Sequence, residues 1–191
     1  MPESTITKQA LAHGLKELMH TKSFDKITIS DITKECGLNR QSFYYHFQDK
    51  YELLNWIFYH EIITVLTDGL SLETWPENLS KILHIMEESK GFYRNALKYS
   101  FQEEFEKYLI DISTALFVSV LEHLQGENTV SKEHTLFLAQ FFSYGFVGSI
   151  LTWVNEGMIQ SPEEMTSLIV SIVNDCKAYA AKRYIQEHSP L

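Results

Sequence analysis

Apolar residues recur at intervals of three and four along almost the whole chain, and the breaks between runs carry helix-capping residues. Over residues 5–21, Ile6, Ala10, Leu11, Gly14, Leu15, Leu18 and Met19 form one stripe, which predicts a helix. "TKSFDKIT" interrupts it, with Phe24 and Ile27 as apolar plugs at a turn. A second, short helix starts at Thr28, with Asp31 three positions on as in a capping box; Ile29, Ile32 and Cys36 give it a buried face. Gly37 suits the left-handed residue that ends a helix. Leu38 plugs the turn, and Asn39 is a good N-cap for a third helix over residues 40–46. Asp49 caps a fourth, running through "KYELLNWIFYHEIITVL". Residues 28–46 therefore spell helix, four-residue turn, helix, with the first helix packed across them; this is the spacing of a helix-turn-helix.

The remainder is also helical in pattern. "LETWPENLSKILHIMEESK" places Leu79, Ile82, Leu83 and Met86 on one face, and "GFYRNALKYS" reads as a short helix or turn. A long amphipathic segment stops at Gly126. Ser131 caps a helix that ends near Gly157 and whose residues 137–154 carry no charge. That uncharged run reaches the lower limit for a membrane span. Gln140, Ser143, Tyr144, Gly145, Gly148, Ser149 and Thr152 within it, and no Lys or Arg cluster at its ends, predict a helix buried in protein instead. Ser161, Pro162 and Glu164 give a strong start to the last helix, on which Met165, Leu168, Ile169, Ile172, Val173, Cys176 and Tyr179 share a face. No stretch reads as a strand pair. The expected fold is all-α, with a helix-turn-helix domain over residues 1–48 and a larger helical domain over 49–191.

Composition changes this picture in two places. The two cysteines, Cys36 and Cys176, show no zinc-site spacing; both stand at apolar-phase positions, which predicts core thiols in a reducing cytoplasm. The first residues lack the basic and apolar runs of a signal peptide. Net charge is −9, which at face value argues against a nucleic-acid partner. The acid lies elsewhere, however: residues 1–50 hold seven Lys/Arg against six Asp/Glu, and residues 51–191 hold nine against nineteen.

The stretch "CGLNRQSFYYHF", residues 36–47, carries the chemistry. Phe43 and Phe47, four apart, point inward with Leu38, which leaves Arg40, Gln41, Ser42, Tyr44, Tyr45 and His46 for the other directions. A solvated face is more often rich in Lys and Glu. Tyrosine and serine hydroxyls donate to phosphate oxygens without adding charge, Arg40 at the helix start suits guanine O6 and N7, and Lys50 adds a cation. The pattern points to a helix that enters the major groove of DNA.

Residues 27–54, "ITISDITKECGLNRQSFYYHFQDKYELL", resemble the DNA-binding domain of the TetR family of bacterial transcriptional regulators, and the likeness extends over roughly residues 5–60. Residues 144–165 resemble, more loosely, the C-terminal region of a subgroup that includes the activator of dihydroxyacetone kinase operons. The resemblance implies an all-α cytoplasmic homodimer in which the last two long helices of each subunit form the interface. By position, Arg40 and Gln41 match base-reading places; Ser42, Tyr44, Tyr45, His46 and Lys50 match phosphate and groove-edge places; Thr28 matches a phosphate contact at a helix N-terminus. Asn39 stands where Ser or Thr is commoner and still caps. Glu35 and Cys36 replace a small pair, which puts a carboxylate near the DNA side. Repression is the family's commoner mode, and the subgroup likeness adds activation.

The signal is less legible. A small-molecule pocket among Trp75, Phe92, Tyr93, Tyr99, Phe101, Phe105, Tyr108, Phe117, Phe141, Phe142, Tyr144 and Trp153 stands beside ordinary core packing. The subgroup likeness adds a protein partner as a third option. His84 with Glu88, His123 with Glu127, and His134 after Glu133 are pairs of the kind chance supplies on Glu-rich helices, so no metal and no cofactor are expected. No catalytic motif occurs, and Ser42, Tyr44 and His46 splay around one short helix, so an enzyme is not expected. A protein-interaction module without DNA contact is the other competing class, and it would show no salt-dependent DNA binding.

Overall fold

The computed structural model of the chain describes residues 3–71, 73–99, 102–125 and 131–188, and every element among them is helical. Helix α1 (Glu3–Thr21) leads through a 3-10 turn (Phe24–Lys26) to α2 (Ile29–Glu35) and α3 (Arg40–His46). Next come α4 (Lys50–Phe58), a π-helical turn (Tyr59–Ile63) and α5 (Thr64–Thr67), which run as one rod. The body is built from α6 (Trp75–Glu88), α7 (Lys90–Tyr99), α8 (Gln102–Gln125), α9 (Lys132–Asn155) and α10 (Pro162–His188).

Local chemistry sets the helix ends where the sequence predicts. Thr28 and Asp31 form a capping box, Asn39 accepts from the Ser42 N–H, Asp49 from those of Tyr51 and Glu52, and Ser131 from that of His134. Ser161 and Glu164 cap α10 reciprocally. Gly37 closes α2 at φ 68°, in the left-handed region. Gly14 has a different reason: a Cβ there would lie 2.9 Å from Cys36 Sγ, so α1 crosses α2 at a distance only glycine allows.

The head buries Leu11, Leu15, Phe24, Ile27, Ile32, Phe43, Phe47 and Leu53 around the α1–α3 crossing. One core continues from there into the body, through Phe58, Leu79, Ile82, Leu83, Phe92, Tyr93 and Trp153. Burial of this kind is worth roughly 1.5–3 kcal/mol for each large side chain. Ile6, expected on the inner stripe of α1, is instead exposed, because it stands in the first turn beyond the crossing.

The fourth helix departs from a regular α-helix. Leu53 and Leu54 are followed four residues on by Ile57 and Phe58, but the next buried pair, Ile62 and Ile63, comes five residues later. A π turn absorbs the extra residue, with the Thr64 N–H bonding to the Tyr59 carbonyl, and keeps all three pairs on one face.

The two outer helices bear on three further expectations. Helix α9 is long and apolar enough, by length and composition, to cross a membrane, yet only 33% of its apolar window is buried within the chain. Its inner side holds Ala139, Ser143, Val147, Ile150, Trp153 and Val154, while Phe137 (65% exposed), Phe141 (67%) and Tyr144 (61%) face outward. Gly145 and Gly148 have open space beyond them. On α10 the predicted single face splits: Met165 and Ile169 pack inward, whereas Leu168, Ile172 and Cys176 are exposed. Cys176 is thus no core thiol, and Cys36 is only partly buried. The side chain of Tyr179 lies outside the described residues.

Candidate nucleic-acid interface

Helix α3 is held by its two inward aromatics. Phe43 is fully buried and Phe47 nearly so, their ring centroids 5.9 Å apart, while Phe47 meets Trp56 of α4 edge-on and Lys8 of α1 reaches over its ring. What remains of the helix faces solvent. Arg40, Gln41, Tyr44 and Tyr45 are exposed, Tyr45 at 82%, and Ser42 and His46 are half-buried at the edge. Arg40 Nη2 donates to Tyr44 Oη at 3.3 Å and the guanidinium lies 5.9 Å from that ring, so the two side chains extend together. Tyr45 and His46 meet edge-to-face. Asn39 is spent on the helix itself, accepting from both the N–H and the hydroxyl of Ser42.

An open cleft of about 300 Å³ runs between this face and the first turns of α1, where Thr7 joins Gln41, Ser42, Tyr45 and His46. Thr7 was not foreseen. Its place follows from the angle at which α1 crosses α3, which no local pattern records.

Like Asn39, two further expected site residues are employed within the chain. The Thr28 N–H and hydroxyl both donate to Asp31 Oδ2, at 2.8 and 2.9 Å, and Lys22 Nζ donates to the same oxygen at 2.7 Å. The lysine's hydrogen bond, followed by those from Thr28, holds the Asp31 carboxyl far below the usual carboxylate range. The N-terminus of α2 therefore already carries an anion of its own.

Lys50 likewise turns inward. Its ammonium donates to the carbonyls of Phe24, Asp25 and Ile27 at 2.8, 3.0 and 2.9 Å and lies over the Phe24 ring. Desolvation lowers its pKa. The expectation of a phosphate-neutralising cation read Lys50 by sequence neighbourhood. The fold brings the 3-10 turn against the start of α4 and uses all three ammonium donors to satisfy carbonyls there. Lys50→Met is accordingly expected to lower stability by about 1–3 kcal/mol, the worth of charged hydrogen bonds, as measured by urea unfolding. The salt dependence of DNA binding should stay unchanged; a fall in slope of about one would return Lys50 to the phosphates.

Among the described residues of the body, the aromatic side chains do not converge on one chamber. Phe92, Tyr93 and Trp153 are core, Phe117, Phe142 and Phe146 form a seam between α8 and α9, and Tyr108, Phe141 and Tyr144 are exposed. Phe101 and the side chains of Tyr99 and Phe105 lie outside the described residues. The larger cleft, about 460 Å³, is open and lies between the two outer helices, lined by Tyr144, Gly145, Gly148, Ser149 and Thr152 of α9 with Met165 of α10. His84 has both ring nitrogens occupied, by the Ser80 carbonyl and Glu163. No group of three or more potential metal ligands occurs among the described residues.

A family model described as bacterial regulatory proteins of the tetR family matches residues 12–57, and one described as a transcriptional regulator C-terminal region matches residues 73–175. The chain belongs to the TetR family of transcriptional regulators. Members of this family are regulators and not enzymes. Over 110 residues the chain is 30% identical to the HTH-type dhaKLM operon transcriptional activator DhaS of Lactococcus lactis subsp. lactis (strain IL1403), a match that takes in 58% of this chain and 58% of that protein. The fold is similar to that of a solved structure titled dihydroxyacetone kinase operon activator DhaS, with a TM-score of 0.73 and 24% identity over 90% of this chain and 96% of that one. A TetR transcriptional regulator from Streptococcus agalactiae 2603V is similar at a TM-score of 0.55 and 21% identity, over 90% and 95% of the two chains. These relations make the α2–α3 pair the helix-turn-helix of an N-terminal TetR domain that also includes α1, followed by a larger C-terminal helical domain.

Proposed function

We propose that this TetR-family regulator acts in the cytoplasm as a homodimer that binds a palindromic operator, with α3 of each subunit in successive major grooves. The observation that carries the reading is the outer face of α3, where Arg40, Gln41, Tyr44 and Tyr45 stand exposed on a helix fixed from behind by Phe43 and Phe47. Arg40 and Gln41 read base edges; Ser42, Tyr44, Tyr45 and His46 meet phosphates and groove edges, joined by Thr7. Thr28, Asn39 and Lys50 support the face from within the chain. Residues 1–48 form the reading head and residues 49–191 the regulatory and dimerising body.

The outward apolar residues of α9 and α10 supply the dimer surface. A two-fold contact covers Phe137, Phe141, Leu168 and Ile172 at once, and the open cleft beside Gly145 and Gly148 admits a partner helix at close range. The two α3 helices then stand about 34–36 Å apart.

Selection of bound sequences from random duplexes with purified protein tests the reading. The expected product is a palindrome with half-sites one helical turn apart, bound at about 10⁻⁸–10⁻¹¹ M. Recovery of unrelated sequences would refute it. Arg40→Ala is expected to cost about 1–3 kcal/mol and to relax preference at one base pair in each half-site. A uniform loss across all duplexes would place Arg40 on the backbone instead.

The relative from Lactococcus is named an operon activator, and this favours activation over repression here. The scattering of the body's aromatics, with its larger cleft open to solvent, favours a protein effector over a small molecule.

A further inference from the structure

Besides the continuous rod of α4 and the shared apolar core, two polar clusters among the described residues tie the head to the body, and α7 contributes to both. The first is at the π turn. Glu61 projects from it and accepts Lys16 Nζ of α1 on both carboxylate oxygens at 2.9 Å, while the hydroxyl of Tyr93, on α7, donates to Glu61 Oε2 at 2.7 Å. Tyr93 is fully buried, with its ring edge-on to Phe58 at 5.3 Å, and Lys16 lies over the neighbouring Phe92 ring. The second is at the end of α1. The Asn95 amide donates to the carbonyls of Met19 and Lys22, at 2.8 Å each, and its oxygen accepts from the Phe24 N–H at 3.1 Å. Carbonyls at a helix C-terminus otherwise lack partners in the chain, so Asn95 acts as a cap supplied from the body.

The first of these ties sits at the π turn of the rod. A π turn breaks the regular hydrogen-bond ladder and is a natural place for a helix to bend. Without these ties, the polar links between head and body would run across that turn alone. With α7, one carboxylate gathers α1, the π turn and α7, and one amide fixes the end of α1 about half a turn further along α7.

We propose that Glu61, Tyr93 and Asn95 are positioning residues that hold the head at one angle on the body and so set which half-site spacing the dimer accepts. This rests on the operator reading above. A base pair inserted between half-sites moves the second one by about 3.4 Å along the axis and about 34° around it, given one turn in 10–10.5 base pairs. A rigid head rejects that displacement; a loosened head follows it.

The test uses the full-length dimer and the half-site obtained by selection. Duplexes carry two half-sites at the selected spacing, or with one or two base pairs added or removed, and a further duplex carries a single half-site. Affinities are read by fluorescence anisotropy for the wild type, Tyr93→Phe and Glu61→Gln. Tyr93→Phe removes one hydroxyl from a buried site. Glu61→Gln, at a half-buried position, retains an acceptor and loses the charge, so it reports even where the first variant folds poorly. Discrimination between correct and altered spacing should fall at least about fivefold in the variants, at the lower end of ordinary site–site coupling. Affinity and base preference on the single half-site should remain within about twofold of wild type. Folded variants that discriminate spacing as sharply as the wild type would overturn the proposal. A wild type indifferent to spacing would overturn the operator reading itself, a separate failure visible before any variant is made.

Discussion

Replacing Phe141 and Tyr144 together by aspartate is expected to leave a folded monomer that no longer holds a palindromic duplex. Both side chains are more than half exposed in the single chain, at 67% and 61%, so their loss removes little from its core. Aspartate in the middle of a helix costs up to about 0.7 kcal/mol per site. In the proposed dimer the same positions lie on the two-fold contact, where each chain would bury two unpaired carboxylates against the other. Residues at the centre of an interface carry about 2 kcal/mol or more apiece. A combined loss of at least about 4 kcal/mol corresponds to roughly a thousandfold weaker association. Sedimentation velocity at micromolar protein should show one species at half the wild-type mass, with unchanged helical circular dichroism. Binding to the full operator should drop to that of a single half-site, because the second head loses its tethered effective concentration. A variant that sediments as a dimer would move the interface elsewhere on the body.

Phe43→Ala should be as damaging to the head as that change is to the dimer. Phe43 is fully buried, and its ring is the main wedge between α3 and the rest of the head core. Truncations of this kind cost about 3–5 kcal/mol, a large share of the roughly 5–15 kcal/mol that holds an ordinary domain together. The body has its own packing in the α8–α9 pair and the α6–α10 contact. The expected result is therefore local: amides of α2 and α3 exchange rapidly with solvent deuterium, while those of α9 keep their protection. Operator binding is lost and the dimer persists. Wild-type protection in α3 would show that the cavity collapses and that Phe43 is not the wedge.

Much of this architecture was legible because its determinants are local. Thr28 with Asp31, Asn39, Asp49, Ser131 and Ser161 with Glu164 announce helix starts within four residues of themselves, and each cap forms where the spacing places it. The exposed face of α3 was legible for a similar reason: once Phe43 and Phe47 point inward, helix geometry assigns the directions of Arg40, Gln41 and Tyr44. What the pattern hid depended on distant partners. The step of five from Ile57 and Phe58 to Ile62 and Ile63 was in the sequence, but its meaning required α7 and Glu61 to be in place. The inward turn of Lys50 was hidden because the carbonyls it serves lie 23–26 residues earlier. The α10 stripe was read as one face since periodicity marks apolar positions without saying which neighbour covers them. Met165 and Ile169 meet their own chain; Leu168, Ile172 and Cys176 do not.

The inward turn of Lys50 bears on how such a regulator would find its target. With that ammonium facing the 3-10 turn and Asp31 filling the start of α2, the outer face of α3 itself offers one guanidinium, that of Arg40, beside the amide of Gln41 and the hydroxyls of Tyr44 and Tyr45. Few condensed cations would leave the duplex when it lands, and the indiscriminate grip on chromosomal DNA that depends on their release would be slight. Such a molecule would travel mostly through free solution between brief touches, not by gliding along the double helix.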